Sequence, residues 1–488
     1  MSAAAAIPRT PPPAQRSGLA VWMQRVLEEC DRAAVDFAPD PVHDLRVALR
    51  RCRSLADGLM ALDPDAAWKQ MKKAGKGLFR VLGELRDTQV MVEWVNQLGV
   101  AGDPVASTLL CFLAFREAEH KQQAVQALAQ FDRKQWKKWS RVLPRRAARI
   151  RTGSLLFRHL ALERWTEAYE LGRRALRARS PLAWHALRIG LKRFRYIVEN
   201  FLPAQHESWI DDLKQLQDWL GEVHDLDVLW STALRMKVFP DDDARIRWRE
   251  RILEERNRRI QGYRERMVGK NSRWQHWRAQ LPEGREIETA AFSRLRLWAS
   301  LLDPDFPHSR HVARLALELY DGVFASQEAG STSSTERTIL RLAALLHDVG
   351  RSREQKRHHK VGSRMIEKLA PPLGWTPATM HLIAVVSRYH RGALPRRGQK
   401  MFDRLAAAER QTATKLTAIL RLANAFDQDR SQRIDRLKLI DKNGALVILA
   451  RGYSPWNQTA ESIAAARHLL EVVCRRPILV KTMRANLH

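Results

Sequence analysis

The run HDLRVALRRCR, beginning at His43, recurs as HALRIGLKRFR, beginning at His185, and the two share the pattern HxLRxxL[RK]RxR. A second block recurs at about the same distance downstream of each copy, LGELRD from Leu82 and LGEVHD from Leu220. Two independent matches in the same order mark a duplicated unit. Few glycines or prolines interrupt the helical periodicity of residues 17–270, so each unit is expected to be a helical module.

At about 100° per residue on a helix, His43, Arg46, Arg50 and Arg53 fall on one stripe, and His185, Arg188, Lys192 and Arg195 repeat it. Leu45, Leu49 and Cys52, with Leu187, Leu191 and Phe194, land roughly opposite and are candidate core residues. Arg51 and Arg193 stand at the edge of the stripe, and Lys72, Lys76 and Lys214 can extend it from the next helix. A solvated helix face normally alternates bases with carboxylates, and here the carboxylates are almost missing. Arginine dominates, and its planar fork suits phosphate oxygens. Duplication supplies the rail twice, so two copies can face each other across a groove. The whole chain shares the bias, with 84 Lys and Arg against 54 Asp and Glu in 488 residues, net +30. Such a surplus repels itself and calls for a polyanion or an anionic membrane.

These residues resemble the CHAD family, the conserved-histidine α-helical domain, whose hallmark is two related bundles, each opening with such a helix. The resemblance covers roughly residues 17–280, with repeats at about 17–150 and 151–280. It implies inorganic polyphosphate as the ligand and association with polyphosphate granules. Carried over by position, the binding residues it implies are His43, Arg46, Arg50, Arg53, His185, Arg188, Lys192 and Arg195. Asp87 and Asp225 are expected to orient basic side chains or to cap helices.

The C-terminal half carries LLHDVG around His347 and Asp348, with His308-Ser309-Arg310-His311 upstream, His358-His359 and Arg388-Tyr389-His390 downstream, and LRLANAFD ending at Asp427. Imidazoles with carboxylates suit a divalent metal that can activate water for attack on phosphorus. The order is similar to that of the HD phosphohydrolases, most of all the HD-type domain at the C-terminal side of exopolyphosphatase and guanosine-pentaphosphatase proteins. That likeness covers roughly residues 290–485. It implies His308, His347 and Asp348 as ligands of a divalent ion such as Mn²⁺ or Mg²⁺, with Asp348 as partner of the metal-bound water. The fourth position, usually Asp, is Asn424; Asp427, one turn later, is the candidate substitute. Val361 stands where the exopolyphosphatase pattern often has His, and no segment resembles the actin-like domains that carry catalysis in those proteins. Three readings stay open: a metal-dependent phosphohydrolase with His390 and Arg351 on phosphate, a degenerate HD fold used for binding or assembly, and a helical core with incidental histidines.

The expected fold is mainly α. A disordered tail at residues 1–16 precedes the duplicated bundle at 17–280, followed by an HD-like domain at 281–436 and a small α+β cap at 437–488. In that cap, Leu437–Ile440 and Ala445–Ala450 flank Asp441-Lys442-Asn443-Gly444 as a hairpin, before a helix over about 461–473 and a strand over Pro477–Lys481. Arg245–Lys270 reads as one helix laced by Glu254–Arg258 and Glu255–Arg259, and Gln327–Glu336 reads as a loop. Four scattered cysteines and no signal-peptide pattern or long apolar run point to the cytoplasm. Asn457-Gln458-Thr459 has no secretory context, and Gly75-Lys76-Gly77 lacks the rest of a phosphate loop. Trp136, Trp139, Trp274 and Trp277 have helix-packing spacing. Nucleic acid is the competing polyanion, although no helix-turn-helix, zinc or RNP pattern accompanies the charge.

Overall fold

The computed structural model describes residues 18–483 apart from 37–38, 179, 325–330 and 457. The expected tail at 1–16 and Asn457 therefore lie outside the described residues. Nineteen α-helices and one three-stranded sheet are found among the described residues, a mainly α fold. The chain divides between Glu283 and Gly284 into two compact units.

In the first unit the rails lie on α2 (Pro39–Met60) and α8 (Pro181–Phe201), which follow α1 (Leu19–Asp36) and α7 (Leu155–Ala178). The second repeated block lies on α4 (Lys76–Leu98) and α9 (Pro203–Met236). Between them run α3 (Ala66–Ala74), α5 (Pro104–Ala129) and α6 (Arg133–Ala147), and the unit closes with α10 (Asp242–Met267) and α11 (Arg273–Arg278). Local chemistry starts these helices where the sequence places the punctuation. Asp65 accepts from Ala67 N at 2.8 Å to cap α3, and Ser180 before Pro181 caps α8. All six expected core residues of the amphipathic helices are buried. The two rail helices pack closely because Gly58 leaves room for Phe201: a Cβ there would lie 2.3 Å from the phenyl ring. Asn200 donates to Ser54 Oγ at 3.1 Å across the same contact.

Helix α10 follows the expected span, with one change in its charge lacing. Glu255 pairs with both Arg258 and Arg259, so Arg258 is held at i,i+3 by Glu255 instead of Glu254, and Arg259 adds a tertiary bond to Glu222 at 2.5 Å. Trp136, Trp274 and Trp277 are buried, as packing predicts.

The second unit contains α12 (Arg285–Leu302), α13 (Phe306–Phe324), α14 (Ser331–Leu346), α15 (His358–Glu367), α16 (Pro377–Arg388), α17 (Lys400–Asp403) and α18 (Ala407–Ala425). The expected Ser/Thr/Gly loop is corrected at its C-terminal part, since α14 already runs from Ser331; residues 327–330 lie outside the described residues. The cap follows the hairpin expectation. β1 (Arg436–Lys442) pairs antiparallel with β2 (Ala445–Arg451), α19 (Gln458–Cys474) crosses over, and β3 (Ile478–Thr482) adds parallel to β2. Asn443 and Gly444 both take positive φ, 51° and 73°, the geometry of a tight hairpin turn. Among the described residues, no helix is long and apolar enough to cross a membrane.

Candidate polyanion site and candidate metal centre

The two rails meet. Lys192 is half-buried, and burial together with Arg188, Arg50 and Arg46 lowers its ammonium to about 7. That set joins equivalent cations from both repeats: Arg46 with Arg188, and Arg50 with Lys192. The guanidinium of Arg46 is likewise lowered, first by burial and then by Arg50. Nε of Arg46 and Nε of Arg188, the same atom in the two copies, are buried without a hydrogen-bond partner. Buried donors are normally satisfied, and here each copy leaves the same donor open.

The second block supplies the floor. Asp87 on α4 and Asp225 on α9 act on each other. Burial raises the Asp225 carboxyl to about 6 against the pull of Arg188 and Lys192, with Asp87 pushing the same way. His224 occupies the repeat position of Arg86. Its Nδ1 lies 3.2 Å from His185 Nδ1, and burial with Arg188 and His185 lowers it to about 4. His43, at the exposed edge, is lowered by its residual burial and by Arg50, Arg86 and Arg46, against Asp44. Arg86 and His224 were not singled out as binding residues from the sequence; the signal available was their matched position one residue before the repeated aspartate.

Other predicted rail residues are drawn elsewhere. Arg51 is ion-paired with Glu199 of α8 and lies 5.4 Å over the Trp22 ring, which makes it a clamp between helices. Arg193 pairs with Glu167 at 2.8 Å, and Arg195 lies 3.9 Å from Glu199. Arg53 donates to the Lys72 carbonyl at 2.7 Å and sits over Phe79, the ring that Arg46 also approaches. Lys72 pairs with Asp57. Lys76 and Lys214 are exposed on α4 and α9.

In the second unit, His308 comes from α13, His347 and Asp348 follow α14, His358 opens α15 and His390 follows α16. Gly350 brings these segments together: a Cβ there would lie 2.1 Å from the His358 carbonyl oxygen, so only glycine permits the approach. His347, His358 and His390 each place Nδ1 2.7 Å from a backbone carbonyl three residues earlier. That contact places a proton on Nδ1 and turns Nε2 toward the other side chains of the site. The Nε2 atoms of His358 and His390 stand 3.3 Å apart, His358 Nε2 is 3.2 Å from Asp348 Oδ1, and His347 Nε2 is buried without a hydrogen-bond partner. Ring nitrogens turned toward one another accommodate a proton or a metal ion between them. Two groups of three have the spacing of metal ligands, His308–His347–Asp348 and Asp348–His358–His390, each with its ligand atoms within 4.8 Å of one another.

Asp427 falls in neither group. Its Oδ2 is 2.7 Å from His308 Nδ1 and its Oδ1 accepts from Gln432 N at 2.7 Å, so both oxygens are engaged in orienting the histidine from behind. Asn424 Oδ1 does face His308 Nε2, at 3.2 Å. Burial alone would raise the Asp348 carboxyl, yet His347, His390 and Arg430 hold it below the usual carboxylate range. Arg430, which carried no sequence signal, has φ of 60° and binds Asp348 and, at 2.6 Å, Asp305. Arg351 reaches Asp348 at 3.4 Å. His308, Asp348, His358, His390, Asn424, Arg351 and Arg430 line a cavity of about 410 Å³ with Arg391, Arg421 and Gln428.

Comparison with known proteins matches both halves. The chain carries a CHAD domain at residues 23–234 and a Ppx/GppA phosphatase domain III at residues 297–461. Among solved structures it is similar to the CHAD domain from the plant Ricinus communis, at 20% identity over 54% of this chain and 88% of that one, with a TM-score of 0.35. No curated protein matches.

Proposed function

We propose that this protein binds inorganic polyphosphate between α2 and α8, and that its second unit is a metal-dependent phosphohydrolase acting in polyphosphate metabolism. Both domains point to a polyphosphate-related role. The observation that carries the first half is the meeting of Arg46, Arg50, Arg188 and Lys192, with the same Nε–H unpartnered in each copy. A linear chain of phosphoryl groups supplies closely spaced acceptors and charges without bases to read, and a focused positive site holds it electrostatically. Granule association follows from that binding. Nucleic acid presents the same charge at lower density, so polyphosphate is expected to displace DNA or RNA at equal phosphate concentration while the reverse fails. With six to eight contacts, the log–log salt slope is about −4 to −6 by analogy with single strands. Displacement of polyphosphate by equimolar nucleotide phosphate would favour the nucleic-acid reading.

Lys192 makes the binding pH-dependent. The free site holds its ammonium at about 7 because burial and three arginines disfavour the charge. A bound polyanion favours the charge, so binding takes up a proton when the free lysine is neutral. Affinity is therefore highest below pH 7 and declines from pH 7 to 9. Calorimetry in buffers of different ionisation enthalpy at pH 8 reads the uptake directly, and Lys192→Arg abolishes it. A wild-type affinity flat from pH 6 to 9 contradicts the assignment.

In the second unit the donor set fits a divalent cation: His308, His347, His358 and His390 offer imidazole nitrogens and Asp348 the shared carboxylate. An imidazole-rich set favours a transition ion such as Mn²⁺ over Mg²⁺. Such an ion, when bound, polarises a phosphoryl oxygen and lowers the pKa of water. The chain itself holds the imidazoles in one tautomer through backbone carbonyls and offers Arg351 and Arg391 to substrate oxygens. Arg430 competes for Asp348, and Arg430→Gln is expected to tighten Mn²⁺ severalfold in a chelator-competition titration. Unchanged or weaker Mn²⁺ binding would mean that Arg430 supports the site.

A further inference from the structure

The two repeats share the packing of one element but not its charge. Helix α6 contains QWKKWSRVLPR from Gln135, and residues 273–283 of the second repeat read RWQHWRAQLPE. Trp136 and Trp274 are both buried, as are Leu143 and Leu281. α6 packs on α1, and α11 packs on α7, the helix that corresponds to α1. The outward positions around those anchors are Lys137, Lys138, Arg141 and Arg145 in the first copy and Gln275, His276, Ala279 and Glu283 in the second, all exposed. The fold therefore requires the tryptophan and leucine here and does not require the cations.

The cations have not been neutralised locally either. No Asp or Glu occurs from Arg133 to Leu162. Arg133 and Arg146 pair with Asp31 and Asp63, but Lys134 and the four outward cations of α6 have no carboxylate partner among the described residues. The strip is rigid. Asp132 caps the helix by accepting from Gln135 N at 2.9 Å, Trp136 Nε1 donates to Met23 O at 3.0 Å, and Arg146 Nη2 donates to Asp63 Oδ1 at 2.7 Å. It is also narrow, one helix face running about 16 Å from Lys134 to Arg145. Val142 is the only large aliphatic residue exposed on α6 among the described residues, so the face lacks the apolar ridge with which an amphipathic helix enters a bilayer.

We propose that the outer face of α6 is a second track for a linear polyphosphate chain, additional to the paired rails of α2 and α8. This rests on the reading of the first unit as polyphosphate-binding. A long chain engages both surfaces and gains through effective concentration, whereas a short oligomer fills one. The repeat supplies its own test: the full-length protein with Lys137→Gln, Lys138→His, Arg141→Ala and Arg145→Glu carries the second copy's residues on the first copy's helix. Long-chain polyphosphate is expected to bind at least tenfold more weakly, with the salt slope shallower by about 3, while tripolyphosphate binding stays at the wild-type value. If circular dichroism shows the quadruple variant to be unfolded, Lys137→Gln with Lys138→Gln gives the same readouts at about threefold. Wild-type long-chain affinity and slope in a folded variant overturn the second track. So does loss of binding to anionic-lipid vesicles with polyphosphate binding intact, which would make the strip a membrane surface. The rails are tested separately, by the response of tripolyphosphate to Arg50→Ala with Lys192→Ala.

Discussion

Arg50→Ala with Lys192→Ala weakens polyphosphate binding about a hundredfold, and the same protein unfolds at a higher temperature than the wild type. The two effects have one cause. Each side chain offers a charge-assisted contact worth about 1.5–3 kcal/mol in a partly buried site. Two of them, reduced by screening, leave about 3 kcal/mol, near a hundredfold. In the free protein the same groups repel one another: burial first, and then Arg188, Arg50 and Arg46, make Lys192 lose its proton near neutrality. Removing two cations relieves that repulsion, as expected where a site is arranged for its ligand at the cost of stability. A merely structural pair of basic residues would show the opposite sign in thermal unfolding. Unchanged affinity in the folded double variant discards the rail, and a lowered unfolding temperature with weaker binding would make these residues supports of the bundle.

The rails were legible because they are a local property. Helical spacing alone puts Arg46, Arg50, Arg188 and Lys192 on equivalent stripes, and the repeat announces that the stripes occur twice. What spacing cannot supply is the acid that arrives from another helix. Arg51 and Arg193 sit one position from the stripe and look alike on a helical wheel, yet Glu199 captures one and Glu167 the other. Both acids belong to elements about 25 residues or more distant in sequence, or across the repeat. The second unit shows the same limit from the other side. His308, His347 and Asp348 followed from motif order, and the structure sets them in one group. His358 and His390 join through Asp348, and what sets them apart is an atomic orientation, Nδ1 turned to a carbonyl and Nε2 inward. Asp427 shares a helical face with Asn424 on paper, but α18 ends at Ala425. Beyond that end the chain turns, and the carboxylate faces the far nitrogen of His308. Arg430 lies in irregular chain at positive φ, where no periodicity exists to read.

Asp348→Asn is expected to abolish measurable Mn²⁺ binding by the second unit, a loss of at least a hundredfold. Asp348 is the one carboxylate in either group of ligands, and both groups share it; every other donor is an imidazole. Its replacement leaves a dication among neutral ligands with Arg430 close by, so attraction becomes net repulsion. The substitution also removes one of the two acids that hold Arg430, a cost of about 1–2 kcal/mol, because the guanidinium is partly exposed and keeps Asp305. Asp348→Asn with Arg430→Gln separates the two effects: the double variant recovers thermal stability and still fails to bind the ion. Any phosphatase activity against polyphosphate is expected to need added metal and to vanish in both variants. Hydrolysis that survives thorough chelation and Asp348→Asn would exclude a metal mechanism at this site. Retained Mn²⁺ affinity in the folded variant would mean that the ion is held without Asp348 and would overturn the shared-carboxylate site.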